Sequence, residues 1–168
     1  MYEAAEYRKL EPGDKLLSQG KIPNKIYLIL KGVVRAYLIL ENGKEVTTRL
    51  FNPYMFFASI KALLNKKPSS IIYEALTESE VLELDFTTFS NLCHNHLDVM
   101  GLYAKVLEDT IIRSEARFIE FSSSDATKRY LDLRKRINNL DNLIPQYQIA
   151  ASIGITPVQL SRIRAKLN

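Results

Sequence analysis

Apolar and polar positions divide the 168-residue chain into two halves with different periods. Up to about residue 85 the apolar residues come in short runs: Ile26–Leu30, Val33–Leu40, Glu45–Phe51, Ile71–Leu76 and Val81–Leu84. Turn-forming pairs such as Pro12-Gly13, Pro23-Asn24, Lys31-Gly32, Asn42-Gly43 and Asn52-Pro53 separate the segments about every ten residues. That cadence predicts an antiparallel sandwich or barrel. Asn42-Gly43 suits a tight hairpin because both residues tolerate positive φ. Ile26–Leu30 is apolar on both faces, as in a strand covered on each side, whereas Val34, Ala36, Leu38 and Leu40 alternate. Met55–Leu64 departs from the strand period. Phe56, Phe57, Ile60, Leu63 and Leu64 fall at helical spacing and predict a short helix inside the β-rich unit, followed by a polar loop.

From about Asp85 the pattern becomes helical. Between Leu97 and Phe121, Met100, Tyr103, Leu107, Ile111, Ser114 and Phe118 follow one another at spacings of three or four. Twenty-five residues make a helix of about 37 Å, too long for so small a domain to cover. The stripe therefore predicts a homodimer through Tyr103, Leu107, Ile111 and Phe118; the alternative is a core helix lying on its own barrel. Phe121 to Asp125 breaks the pattern, and its serines and aspartate can cap a helix over residues 125–137. The expected organisation is a β-domain at 1–96, a dimerisation helix at 97–121 and a small helical domain at 122–168.

The last two dozen residues are the most specific. A first helix is predicted from Gln146 to Ile153, with Ile149 and Ile153 buried and Ala150 small enough for a close crossing. Gly154 suits the helix end, Ile155 the corner, Thr156 the cap of a second helix and Pro157 its first position. Leu160, Ile163 and Leu167 then face inward. Val158, Gln159, Ser161, Arg162 and Lys166 stay outside. This is a helix-turn-helix whose second helix offers hydroxyls, an amide and a guanidinium to phosphates and to base edges in a major groove. Thr156, Val158, Gln159, Ser161, Arg162 and Lys166 are the candidate contacts with double-stranded DNA. Charge agrees with that partner. Residues 121–168 hold eight Lys/Arg against three Asp, whereas residues 1–120 sum to −1.

Composition removes other classes. The chain is 46% hydrophobic and 25% charged, with 6 Gly and 6 Pro, as in ordinary globular proteins. Its one cysteine, Cys93, forms no internal disulfide and builds no Cys-rich metal centre. Cys93-His94-Asn95-His96 reads as surface polar residues rather than a metal cluster, because a stable site needs three or four convergent ligands. No metal or cofactor is expected. Phosphate-cradling, nucleophile-elbow and zinc-protease motifs are all missing, so no enzyme is expected. No apolar run spans a membrane and the first residues do not read as a signal peptide, which predicts a cytoplasmic address without membrane contact.

The residues quoted above resemble the Crp/Fnr transcription regulators over nearly the whole chain. Ile26-Tyr27-Leu28-Ile29-Leu30-Lys31-Gly32-Val33-Val34-Arg35 is similar to the family's hydrophobic-Lys-Gly strand pair, and Asn42-Gly43-Lys44-Glu45 to its hairpin. The resemblance implies an α+β protein: a jelly roll of the cyclic-nucleotide-binding type, a dimerising helix and a helix-turn-helix. It implies operator DNA and a second copy as partners, and admits RNA polymerase. The family's helix before the barrel and β-wing after the second helix are not matched. In the family's cyclic-nucleotide cassette a Gly-Glu pair and, about ten residues on, an Arg-Ser-Ala hold ribose and phosphate. Here those positions carry Ala58-Ser59 and Ser69-Ser70-Ile71. Cyclic AMP control is therefore not expected. The pocket at Phe56, Phe57, Ala58, Ser59, Ser69, Ser70 and Tyr73 is expected to hold a more apolar effector or to be filled by side chains. The competing function is a sensory or interaction module that keeps the fold without productive DNA binding.

Overall fold

A computed structural model describes residues 4–167. Eight strands, β1 (Glu6–Leu10), β2 (Lys15–Leu17), β3 (Lys25–Lys31), β4 (Val34–Ile39), β5 (Glu45–Phe51), β6 (Phe56–Phe57), β7 (Ile72–Ala75) and β8 (Ser79–Asp85), form two four-stranded antiparallel sheets among the described residues. Their orders are β1-β8-β3-β6 and β2-β7-β4-β5, the crossing pattern of a jelly roll. Tyr27 and Ile29 of β3, Val34 and Ala36 of β4 and Phe51 of β5 meet between the sheets. The five expected strands are present. The short β1 and β2 were not foreseen, because their mostly polar residues carry little apolar signal.

The predicted helix at Met55–Leu64 forms only in its second half. Phe56 and Phe57 instead pair with Leu28 and Tyr27 as β6, and α1 covers Ile60–Asn65. The two rings are recruited by the aromatic core: Phe57 stacks on Tyr27 at 5.1 Å and on Phe51 at 4.7 Å. The alternation expected in β4 is also overridden. Arg35 and Tyr37, on the face opposite Val34 and Ala36, are equally buried, because other parts of the chain cover that face.

Helices α2 (Phe86–Asn95) and α3 (Leu97–Ser123) follow the roll, then α4 (Ala126–Arg136), α5 (Leu140–Leu143), α6 (Gln146–Ser152) and α7 (Pro157–Leu167). Asp85 and Asp125 cap α2 and α4, accepting from the amides of Thr88 and Lys128. Cys93, expected at the surface, is buried near the end of α2 with Leu84, Phe89 and Val99. A second core joins the helical unit to the roll: Val33 and Leu50 lie among Tyr130, Leu133, Ile149 and Leu160. Beside it runs a buried polar latch. Arg35 donates to Glu74, Glu45 and, at 3.1 Å, to Gln148 Oε1 on α6, and its guanidinium stacks 3.7 Å over the Tyr37 ring. No helix among the described residues is long and apolar enough to cross a membrane.

Gly32 closes the β3–β4 turn at φ 87°, and a Cβ there would lie 2.2 Å from Ser79 Oγ and 2.5 Å from the Glu78 carbonyl oxygen. Only glycine fits.

Candidate reading helix and effector cavity

The turn between α6 and α7 is built by local hydrogen bonds. The Ile155 amide donates to the Ala150 carbonyl and the Gly154 amide to that of Ala151, with Gly154 at φ 73°. This is the Schellman closure that a glycine permits. Thr156 then caps α7: the Gln159 amide donates to Thr156 Oγ1 at 3.2 Å while the Thr156 amide donates to Gln159 Oε1 at 2.9 Å. That reciprocal pair is a capping box. Ile149, Ala150, Ile153 and Leu160 are buried as expected, but α6 ends at Ser152. Leu167, expected inside, is 41% exposed, since α7 carries it past the second core.

All six candidate DNA contacts, Thr156, Val158, Gln159, Ser161, Arg162 and Lys166, are exposed. Two of them are partly committed to the cap: Gln159 Oε1 and the Thr156 hydroxyl face each other. Ser161, Arg162 and Lys166 are free of such ties among the described residues. Asp141 accepts from the Tyr130 hydroxyl at 2.7 Å and lies 3.3 Å from Arg134 and 3.7 Å from Arg164, so it fixes α4, α5 and α7 together. Arg134 and Arg164 are thereby partly neutralised. Arg162 and Lys166 carry the uncompensated charge of α7.

Helix α3 divides its stripe between two faces. Tyr103 and Leu107 are half-buried against the roll and α2, Tyr103 meeting Phe89 edge-on at 5.2 Å. Ile111 and Phe118 face outward, 66% and 73% exposed. They belong to a seven-residue series, Leu97, Ala104, Ile111 and Phe118, accompanied three positions on by Met100, Leu107, Ser114 and Phe121. That is heptad spacing, but only the first series is wholly exposed among the described residues. Leu107, Ser114 and Phe121 of the second meet the roll or the helical unit.

The cassette positions do not all reach one site. Phe56, Phe57, Ala58 and Tyr73 line a cavity of about 340 Å³ between the roll and α3, partly open to solvent. The space expected to be filled by side chains or taken by an apolar effector is open and largely apolar. Ser59 and Ser69 lie outside its lining and bond each other, Oγ to Oγ, at 2.9 Å. The buried Ser69 hydroxyl also donates to the Ile71 carbonyl and accepts from the Ile71 amide. Ser70 is exposed, as are Lys66 and Lys67. Burial pushes the Tyr73 phenol well up, so it remains a protonated donor.

Among the wall residues missed from sequence are its two charged ones, Arg49 on β5 and Arg117 on α3. Each had a signal. Arg49 sits two residues before the core residue Phe51, and Arg117 follows Ser114 by three on the α3 stripe. Arg49 donates to Ser114 Oγ at 3.0 Å, and Arg117 to the Ser152 carbonyl at 3.1 Å. Burial, with repulsion from Arg136 and Arg49, holds Arg117 down at about 10. Among the described residues no three His, Cys, Asp or Glu side chains are grouped to hold a metal.

The family model for the cyclic nucleotide-binding domain matches residues 7–96. A protein of Haemophilus influenzae is similar, 25% identical over 108 residues, 64% of this chain and 83% of that protein. Among solved structures, FixK2 from Bradyrhizobium japonicum superimposes with a TM-score of 0.81 at 15% identity, covering 97% of this chain and 84% of that one. The c-di-GMP-responsive global regulator CLP of Xanthomonas campestris gives 0.65 at 15% identity, covering 98% and 87%. At such identities the structures speak for the fold alone, whereas the family model spans more than half of the chain. The chain therefore belongs to the cyclic nucleotide-binding domain family and has the fold of the Crp/Fnr regulators.

Proposed function

We propose that this protein is a sequence-specific DNA-binding transcription regulator, a homodimer through α3, that does not answer to cyclic AMP. The observation that carries the reading is the capped helix-turn-helix, whose second helix leaves Ser161, Arg162 and Lys166 exposed beside its capping box. In a dimer, two such helices would enter successive major grooves about one helical turn apart. Arg162 and Ser161 are the leading base readers; Lys166 serves the phosphates; Thr156, Val158 and Gln159 complete the contact face. The outward series of Leu97, Ala104, Ile111 and Phe118 supports the dimer, because an exposed apolar seam of this length favours a second copy. The roll serves as the sensor, with the cavity under α3 as its effector site.

Selection of bound duplexes from a random library, followed by electrophoretic shift over a salt series, tests the reading. A recovered palindromic motif, bound with an affinity that falls steeply with salt, supports it, since neutralised phosphates release counterions. Failure to select any motif would favour an interaction module on the same fold.

A further inference from the structure

The cavity beneath α3 has an uneven chemistry. Its inner walls are aromatic and aliphatic: Phe51, Phe56, Phe57, Tyr73 and Leu102. The wall hydroxyls of Thr48, Thr110 and Ser114 are spent on backbone carbonyls of Ala36, Val106 and Thr110. Only two charged residues line it, Arg49 and Arg117, and no acid does. Both guanidiniums are half-buried, and among the described residues neither forms an ion pair. Glu120, the acid that attracts Arg117, is already engaged by Arg136 at 3.3 Å. Arg113 and Arg136 line the groove on the other side of the same two side chains. Two arginines thus stand in the chamber wall, with two more behind them outside it. Half-buried cations that repel one another are costly to keep, and an anion placed between them would relieve that cost.

We propose that the cavity binds a small monocarboxylate with an apolar body, a fatty or arylalkanoic acid, its carboxylate held by Arg49 and Arg117 and its body lying among Phe56, Phe57 and Tyr73. The proposal rests on the reading of the roll as the sensor. A carboxylate suits the paired guanidiniums because its two oxygens accept fork-shaped donors. A nucleotide suits the rest of the chamber less well, where base and ribose would find aromatic faces and, apart from the Tyr73 phenol, hydroxyls already spent on backbone carbonyls. A chamber of about 340 Å³ is within the range of small-molecule sites. The ligand also has a route to the helical unit. Arg117 donates to the Ser152 carbonyl at the end of α6, so a carboxylate that draws Arg117 into the cavity competes directly with that bond. Occupancy would then change how α6 and α7 are held.

Calorimetry on the full chain, with octanoate and phenylpropionate as probes and octanamide and acetate as controls, tests the assignment. The carboxylates should bind, octanamide should bind at least about tenfold more weakly for want of charge, and acetate should not register for want of an apolar body. Arg49→Gln and Arg117→Gln should each reduce octanoate affinity by about tenfold and narrow the preference over octanamide, and the double variant should erase it. Each variant loses a crowded cation but also one hydrogen bond, to Ser114 Oγ or to the Ser152 carbonyl. Melting temperatures without ligand, measured alongside, should therefore change by no more than a few degrees. Equal binding of octanoate and octanamide by the unaltered protein, or no binding of either acid, would overturn the proposal without recourse to any variant. DNA binding is scored separately. A chain that binds octanoate but no duplex keeps this site and loses the regulator reading, and a chain that binds duplex but neither acid does the reverse.

Discussion

Ser59 Oγ lies 2.9 Å from Ser69 Oγ, so the two positions at which the Crp/Fnr cassette carries opposite charges satisfy one another here as a neutral pair. The contact is ten residues long in sequence and joins the N-cap of α1 to the loop before β7. Ser69 donates to the Ile71 carbonyl and Ser59 to Ser69, so neither hydroxyl proton is left over for a phosphate.

Cyclic AMP and cyclic GMP should therefore bind no tighter than the millimolar range. A neutral hydroxyl bond is about half as strong as a charge-assisted one, and each 1.4 kcal/mol lost is about tenfold in affinity. Calorimetry with each nucleotide, beside DNA binding with and without it, is the check. Micromolar binding that also alters DNA affinity would mean that Lys66, Lys67 or backbone amides had taken the phosphate.

Arg162→Ala should cost about 1–3 kcal/mol in operator affinity and relax preference at one position per half-site. Lys166→Ala should weaken all sequences alike and lower the salt slope by about one. A uniform loss for Arg162→Ala across a library would reassign that residue to the phosphates.

Ile111→Glu with Phe118→Glu should give folded monomers, because both side chains already face solvent in the single chain. Leu107 is a poorer choice, being half-buried against its own roll. Operator affinity should fall with dimerisation, since each half-site loses its tethered partner. Sedimentation of the unaltered protein as a monomer at micromolar concentration would count against the seam.

Gly32→Ala should destabilise the fold by about 2–3 kcal/mol, as overpacking adds to an unfavourable backbone region. In a chain of this size that is a Tm fall of about 5–10 °C. A change under about 1 °C would show that the Glu78–Ser79 segment gives way at little cost.

Elements defined by neighbouring residues were legible in the sequence. The Gly154 closure, the Thr156 cap and the Asp125 cap each depend on groups within five positions, and their residue types name their geometry. What was not legible depends on distant partners. Phe56 and Phe57 carry a helical spacing yet form a strand, because Tyr27, Leu28 and Phe51 supply a better surface. Arg35 and Tyr37 stand where an alternating strand should meet water, yet Glu74 and Gln148 enclose them. Arg49 and Arg117 lie 68 positions apart, and only the packing of α3 on the roll brings both to one cavity. The short strands β1 and β2 pair with β8 and β7 through backbone groups, which no side-chain pattern advertises.

The shared core of Val33 and Leu50 with Tyr130, Leu133, Ile149 and Leu160 sets a threshold for any signal this chain transmits. Swinging the helical unit away from the roll would expose at least those two roll side chains, at about 1.5–3 kcal/mol each. With no signal, the swung arrangement would then make up about 1% of molecules or fewer. A molecule that reverses such a ratio must favour the rarer arrangement by about ten-thousandfold in affinity. If the roll is a sensor, the apolar seam between roll and helices would make it deaf to weak or unselective binders, and would reserve any response for a molecule that discriminates sharply between the two arrangements.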